Sequence, residues 1–337
     1  MFWVFVKRVA QAIPSLIGVV IVTFILTRAL PGDPAAYFAG AAATQEAVEE
    51  VRKKLGLDQS LPKQFVDYVV NLAHGDLGTS LTTGQTVANE VMTRLPASLE
   101  LTLAGLLLAT AVAIPLGVVA ATRRDTWVDH FARLVATAGV SLPVFFTGLL
   151  FVYLFYFKLG WAPPPIGRLD VYLSAPPTVT GFYLIDSLLA GEGATFVASL
   201  KQLCLPALTI GLFVLAPITR MTRAAMLGAL SSDYVRTARA MGLSKTTVVY
   251  RYALRNAMLP VLTTLGMVFS FLLGANVLVE KVFAWPGIGS YAIESLVASD
   301  YAPVQGFVLS MAVLYVLLNL VLDMLYTLID PRVRIQA

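Results

Sequence analysis

Charged residues are scarce in this chain, because Asp, Glu, Lys and Arg make up only 13% of its 337 residues. A soluble domain carries about a quarter. Six stretches of 18 to 24 residues have no charge at all: 9–27, 101–122, 134–157, 202–219, 256–279 and 301–322. About 20 helical residues cross the hydrocarbon core of a bilayer, and a helix satisfies its own backbone hydrogen bonds there. The sequence therefore predicts an all-α polytopic membrane protein with six transmembrane helices.

Groups that could supply chemistry or energy are also few. No lysine follows a glycine, so the phosphate-binding motif G-x-x-x-x-G-K is missing. The two histidines, His74 and His130, are predicted in loops on opposite sides, which excludes a shared metal site. The single cysteine, Cys204, excludes an internal disulfide, and Asp323, near the end of the last span, is interpreted as pairing locally. We expect no catalytic residue, no cofactor and no metal on this chain, and a transport pathway whose motor is another protein.

Basic residues are distributed unevenly between the loops. Six spans place both termini on one side, and that side has 14 Lys and Arg residues against four acids. The other side has 10 basic and 15 acidic residues. The positive-inside rule therefore predicts that both termini are cytoplasmic. The first apolar run follows Lys7 and Arg8 without a small-residue cleavage site, and we interpret it as a retained helix.

The two long outer segments are predicted to be partly helical. In residues 31–98, Thr44 can cap one helix and Gly56 can end it, and a second helix over 62–75 has one apolar stripe. This segment is interpreted as a cap on the bundle, a docking surface for an external partner, or both. Residues 158–200 are predicted to form an ordered loop with an interfacial helix.

The cytoplasmic segment 233–260 reads DYVRTARAMGLSKTTVVYRYALRNAMLP and has five basic residues and one acid. Its residue types predict a helix, a left-handed cap at Gly242, and a second helix over Lys245–Ala257 capped by Ser244. Pro260 would then begin the fifth span. Topology alone explains the positive charge, but it does not require a capped helix–turn–helix. Ala238, Ala240 and Met241 are predicted to give a small-residue surface beside Arg236 and Arg239.

A series of motifs along nearly the whole chain carries a family resemblance. In order they are LPGDP, LGLD, HGDLGTSL, RLPASLEL, GWAPPPIGR, TGFYLIDSLLAGE, LPALTIGL, VFAWPGIGSYAIESLVASDYAPVQG and LDMLYTLIDPRVR. With the 233–260 segment, they resemble the permease subunits of ATP-binding-cassette importers of the dipeptide/oligopeptide (peptide/nickel) family, and among these the dipeptide permeases. The resemblance implies the type I importer permease fold. Residues 1–98 would be the first helix plus an extracytoplasmic segment, and 99–337 the core permease domain.

The resemblance also implies a function and a set of partners. The chain would translocate dipeptides or short peptides across the bacterial cytoplasmic membrane without being an enzyme itself. A second homologous permease subunit would complete the pathway, two ATPase subunits would bind ATP and Mg, and an extracytoplasmic binding protein would deliver the substrate. The cytoplasmic loop at about 223–257 resembles the family's EAA loop, which docks in a groove of the ATPase.

The coupling residues that the resemblance implies are Arg236, Thr237, Ala238, Arg239, Ala240, Met241, Gly242 and Leu243. The loop departs from the general pattern, because Arg236 occupies the position of the Glu that gives the loop its name. A charge contact to the ATPase would therefore run from Arg236 or Arg239 to an acid on the partner. The Leu259–Pro260 pair also lies further from Gly242 than in sugar-type permeases.

Other substrates and other mechanisms stay open at this point. The same branch includes permeases for nickel, glutathione and oligosaccharides, and outside it a secondary transporter is the alternative. Ser141, Ser270 and Asn276 are candidates for lining the pathway, although each could equally form a helix–helix hydrogen bond. Prolines inside the predicted spans are interpreted as structural bends: Pro115, Pro143, Pro206 and Pro217.

Overall fold

A computed structural model of the chain describes residues 2–29, 33–40 and 43–329. Its α-helices are α1 (Phe2–Ala29), α2 (Pro34–Ala39), α3 (Gln45–Lys54), α4 (Leu61–Ala73), α5 (Val87–Thr122), α6 (Trp127–Val140), α7 (Val144–Phe151), α8 (Tyr183–Leu189), α9 (Gly193–Leu230), α10 (Asp233–Ala240), α11 (Arg255–Val282), α12 (Ile288–Val297) and α13 (Tyr301–Ile329). A π-helix, Val152–Lys158, extends α7, and another, Thr247–Leu254, leads into α11. Across the described ranges, the only strand-like pairing is one bridge between Thr79 and Thr86. The all-α prediction is confirmed.

The apolar helices match the six predicted spans, with one change of shape. Five are continuous: α1, α5, α9, α11 with its π-helix, and α13. The predicted span 134–157 is instead two helices, α6 and the extended α7, which meet at 96°. The break falls at Ser141–Pro143, where the proline lacks an N–H and disfavours helix in the residue before it. Pro206 and Pro217, by contrast, lie inside an uninterrupted α9.

The chain divides into two compact units. One comprises Met1–Pro96 and Pro286–Leu317, and the other Ala97–Trp285 and Leu318–Ala337. The predicted division into residues 1–98 and 99–337 has nearly the same first boundary but assigns 286–317 differently, and it stays a prediction. The side chain of Asp323 and residues Arg332 and Arg334 lie outside the described part of the chain.

In the first unit, the segment after α1 folds into three short helices. Thr44 caps α3 by accepting a hydrogen bond from the N–H of Ala47 at 3.3 Å, and Gly56 follows the helix with φ +65°. Both match the predicted signals. Helix α2 was not predicted from the sequence. It begins after Asp33, whose carboxylate caps it and also pairs with Arg52 of α3.

The predicted apolar stripe of α4 packs on α1. The ring of Phe24 lies 5.2 Å from that of Phe65 and 5.9 Å from that of Tyr68, measured between centroids. Val69 of the same stripe remains exposed. These contacts place the segment against α1, and its interpretation as a cap on the bundle stays a prediction.

A buried carboxylate organises the loop before α5. Asp300, which precedes α13, accepts hydrogen bonds from the hydroxyl of Ser80 at 2.8 Å and from the N–H of Thr82 at 3.1 Å. These bonds join residues more than 200 positions apart in the chain. In the same unit, Val87, Val91 and Ile288 form a small apolar core.

In the second unit, α9 is the central helix, and it packs against α6, α7, α8 and α11. Small residues allow close approach of the helices. A Cβ on Gly105 of α5 would lie 2.6 Å from Ile210, and one on Gly117 would lie 2.6 Å from Thr222. A Cβ on Gly139 of α6 would overlap the carbonyl oxygen of Leu212. Glycine at these positions therefore sets the spacing of α5 and α6 around α9.

The second predicted outer segment is ordered around a buried ion pair. Arg168 donates to Glu100 at 2.6 Å and to the carbonyl of Gly181 at 2.7 Å, and its guanidinium lies 3.5 Å from the ring centroid of Tyr183. Both charged side chains are 6% exposed. The short helix expected here is α8.

Candidate coupling site and pathway

The helix α10 has one face against the protein and one facing outward. Val235 and Ala238, three residues apart, are buried in an apolar cluster with Val118 of α5, Met226 of α9 and Val248. Asp233 in the first turn and Arg239 in the last complement the helix dipole. The buried face fixes α10 to the ends of α5 and α9.

A tight turn at Gly242 ends α10 as predicted. Gly242 has φ +78°, a left-handed conformation that glycine adopts at little cost. The N–H of Leu243 donates to the carbonyl of Ala238 at 3.3 Å, which closes the turn. The hydroxyl of Ser244 then accepts from the N–H of Thr247 at 3.2 Å and caps the next helix.

The second helix of this segment differs from the prediction. It does not stop at Ala257, and Pro260 does not begin the fifth span. From Thr247 the chain runs as a π-helix directly into α11, and Pro260 lies inside that helix. The turn at Gly242 is thus joined to the span without a linker.

The eight predicted coupling residues do not share one surface. Six are exposed: Arg236, Thr237, Arg239, Ala240, Met241 and Gly242. Leu243 is half-buried, and Ala238 is 3% exposed because it packs on the protein itself. The predicted small-residue surface is therefore wrong at Ala238 and is limited to Ala240 and Met241, beside the two arginines. Residues three positions apart lie on the same helix face, so the helical period indicates that Ala238 is buried together with Val235.

Next to α10 lies a cleft of about 820 Å³. Its walls are apolar side chains from the ends of α5 and α9, including Val118 and Leu230, and three cations border it: Arg124, Arg239 and Lys245. Arg239 therefore belongs both to the outward face of α10 and to this basic cleft.

The three predicted pathway residues are placed differently from one another. Ser141 is exposed at the bend between α6 and α7, where its hydroxyl donates to the carbonyl of Thr137 at 2.9 Å. Ser270 is half-buried and donates to the carbonyl of Gly266 at 3.0 Å. Asn276 is 2% exposed, and its amide donates to the hydroxyl of Thr102 on α5. For Asn276 the structure favours the helix–helix hydrogen bond. None of the three residues lines a second cleft, which lies between α9 and α11.

The cleft between α9 and α11, called the α9–α11 cleft, has a volume of about 650 Å³. Val140 of α6, Phe213 and Arg220 of α9, and Met267 and Phe271 of α11 are among its lining residues. Arg220 was not among the residues predicted from the sequence. It ends the uncharged run 202–219, and a cation at the border of a span was the available signal.

Comparison with protein families assigns both parts of the chain. Residues 113–335 match the family model described as the inner membrane component of binding-protein-dependent transport systems, and residues 1–102 match the N-terminal model of such membrane components. The chain belongs to this permease family. As a family member with the spans described above, it is a multi-pass inner-membrane protein with the type I importer permease fold.

Curated relatives of the permease match it over nearly their full length. It is 46% identical over 333 residues to the probable D,D-dipeptide transport system permease protein DdpB of Escherichia coli K12, covering 98% of both chains. It is 46% identical to the di/tripeptide transport system permease protein DppB of Pseudomonas aeruginosa UCBPP-PA14, again over 98% of both. It is 39% identical to the glutathione transport system permease protein GsiC of Escherichia coli O6:H1, over 98% of both.

Proposed function

We propose that this permease is one of the two membrane subunits of an ATP-driven importer of dipeptides and other short peptides. The names of relatives at 38 to 46% identity, several of them dipeptide permeases, support the substrate class. Glutathione is the second candidate, because one relative of similar identity carries that substrate in its name.

The proposed importer contains further subunits. Two ATPase subunits bind ATP and Mg and hydrolyse the nucleotide, so that this chain itself is neither an enzyme nor a cofactor-binding protein. A second homologous permease subunit completes the pathway, and an extracytoplasmic binding protein delivers the peptide. The permease lies with both termini in the cytoplasm, as the distribution of Lys and Arg indicates.

The observation that carries the coupling role is the placement of α10. Its inner face is fixed to the ends of α5 and α9, its outer face exposes Arg236 and Arg239, and the Gly242 turn joins it to a continuous helix ending at Val282. A displacement of α10 by an ATPase therefore acts on three spans, α5 and α9 through packing and α11 through the turn. We assign the exposed residues of α10 and its turn to the ATPase contact, with Ala238 as their anchor.

Purification of the complex from native membranes tests this proposal. The native chain should retain two ATPase subunits, identified by mass spectrometry, whereas the double variant Arg236→Glu and Arg239→Glu should lose them. The reason is that both arginines are exposed, and among the described residues the ion pair of Arg236 is an exposed, 3.4 Å contact to Asp233 on its own helix. The matched control reverses two exposed charges of α3, Lys53→Glu and Lys54→Glu, and should retain the ATPases.

Two results would count against the proposal. If the native chain takes up dipeptides in the absence of any ATPase, the secondary-transporter alternative replaces the importer. If the α10 variant retains the ATPases as well as the α3 variant does, the charged face of α10 is not the contact.

A further inference from the structure

The α9–α11 cleft runs along the two helices from the interior of their uncharged runs to the end of the α9 run. Phe213 of α9 and Phe271 of α11 stack at the inner end, with ring centroids 5.9 Å apart and an interplanar angle of 21°. Met221 and Met267 add exposed thioether surface, and Arg220 lies where the uncharged run of α9 stops. The cleft thus joins the interior of the spans to the predicted cytoplasmic side.

Arg220 is exposed in this cleft without an acidic partner among the residues that the structure describes. Among these residues, its guanidinium makes a long hydrogen bond, 3.4 Å from Nε to the carbonyl oxygen of Ala216. Arg223, one turn further on, differs because it binds Asp129 through two hydrogen bonds. A cation at the border of a span, beside apolar walls, favours an anion that comes from outside the chain.

The walls of the cleft suit a ligand of variable shape. Methionine is flexible and polarisable, so it adapts to differently shaped apolar groups, and the stacked rings of Phe213 and Phe271 offer a further apolar surface. Short peptides differ in their side chains but share a terminal carboxylate, which the planar guanidinium of arginine can bind with two hydrogen bonds. The single cation therefore matches the terminal carboxylate that these peptides share, and the adaptable apolar surface accommodates their different side chains.

We infer that the α9–α11 cleft forms part of the peptide pathway and that Arg220 binds the terminal carboxylate of the peptide on the way to the cytoplasm. This inference rests on the proposed function. A lipid phosphate is an anion of the same general chemistry, and the experiment separates the two sources.

The experiment uses the complete importer in proteoliposomes, with its binding protein, ATPases and internal ATP. Uptake of a dipeptide and of its C-terminal amide is measured, each at a concentration that saturates the binding protein. Arg220→Gln should lower dipeptide uptake about tenfold or more and affect the amide much less, because only the free acid loses a charged partner. Arg220→Lys should keep part of the activity, and ATP hydrolysis stimulated by the loaded binding protein should persist in both variants.

The matched control is Lys201→Gln. Lys201 is an exposed cation that borders the same uncharged run of α9 at its other end. Removing it changes the net charge and the helix border as much as Arg220→Gln does, but it leaves the cleft intact. Its dipeptide uptake should remain close to that of the native complex.

A second arm tests charge without relying on transport of the amide. Cys204 is the single cysteine of this chain, so in a Cys204→Ala background Arg220→Cys is the one thiol that this chain offers to a labelling reagent. A methanethiosulfonate reagent that adds an ammonium group should restore dipeptide uptake. A reagent that adds a sulfonate should not.

Each alternative has its own result. Equal uptake by Arg220→Gln and native complexes, or rescue by both reagents, overturns the inference. So does a parallel loss of stimulated ATP hydrolysis, which indicates an ATPase contact, or a defect that appears only in vesicles with phosphatidylglycerol, which indicates a lipid. If native complexes fail to take up any dipeptide, the proposed function itself fails.

Discussion

Asp129 of α6 and Arg223 of α9 form a two-point ion pair, with Oδ1 2.7 Å from Nε and Oδ2 2.6 Å from Nη2. The carboxylate is completely buried, and it also accepts from the N–H of Asp125 at 3.1 Å. Arg133 lies further away, at 3.6 Å. The pair ties the bent span to the central helix, a few residues before that helix leads to α10.

Removing Arg223 should therefore destabilise the permease markedly. Arg223→Gln leaves a buried carboxylate with only a weak charged neighbour, and breaking such a pair costs about 3 kcal/mol or more. Thermal unfolding of the detergent-purified chain measures the loss. The double variant Asp129→Asn and Arg223→Gln should recover part of it, because no unpaired charge stays buried. A double variant no more stable than Arg223→Gln would mean that the lost hydrogen bonds, rather than the charge, set the cost.

A second prediction concerns the close approach of α6 and α9. Gly139→Ala should separate the two helices, because the added Cβ overlaps the carbonyl oxygen of Leu212, a backbone atom that cannot rotate away. Less folded protein and a lower melting temperature are expected. Gly228→Ala on α9 is the matched control, since a Cβ there meets nothing within 4 Å. Similar melting temperatures for the two variants would contradict the packing argument.

Features that depend on local chemistry were predictable from the sequence. Uncharged runs located the spans, Thr44 and Gly56 located the ends of α3, and Gly242 located the turn after α10. Each of these signals acts within a few residues, through backbone hydrogen bonds or the need for a positive φ. The positions of the spans, the ends of α3 and the turn after α10 therefore follow from the sequence without knowledge of the packing.

Features that depend on distant neighbours were not predictable in this way. The sequence left Asn276 open between a pathway position and a helix–helix hydrogen bond, and the contact of its amide to Thr102, 174 positions away, favours the hydrogen bond. Ala238 was predicted to lie on a small-residue surface, but the ends of α5 and α9 cover it. Pro143 was interpreted as a bend, but the 96° angle between α6 and the extended α7 depends on what these two helices pack against. Arg220 has no acidic partner among the described residues, whereas Arg223 binds Asp129, and the sequence alone does not show this difference.

The outer loop should show a dependence of stability on pH that comes from Asp186. Burial alone would raise the pKa of this carboxyl, but hydrogen bonds from Thr180, Gly181 and Val179 outweigh it and hold the pKa below its ordinary value. A lowered folded-state pKa contributes stability above the unfolded value of about 4. That contribution is lost as the pH falls through the folded-state value. Melting temperatures of the native chain should therefore decrease as the pH falls below about 4.

Asp186→Asn is the control for this pH dependence. The asparagine has no charge to lose, and its amide nitrogen would face N–H donors, so it should be less stable near pH 7. Its remaining fall at low pH should be smaller than that of the native chain. The same slope in both proteins would assign the acid sensitivity to other carboxyls.

The turn at Gly242 offers the sharpest test of coupling geometry, because strain and crowding can be separated there. A Cβ at Gly242 meets nothing within 4 Å, so only its φ of +78° opposes a side chain. Gly242→Val should distort the turn and lower ATP hydrolysis stimulated by the binding protein several-fold, while the amount of chain in the membrane stays unchanged. Gly242→Asn should keep most of the activity, because asparagine tolerates left-handed backbone far better than a β-branched residue. Equal loss in both variants would indicate that any side chain at this position crowds the docked ATPase, rather than that the backbone is strained, and native activity in both would remove the turn from the coupling mechanism.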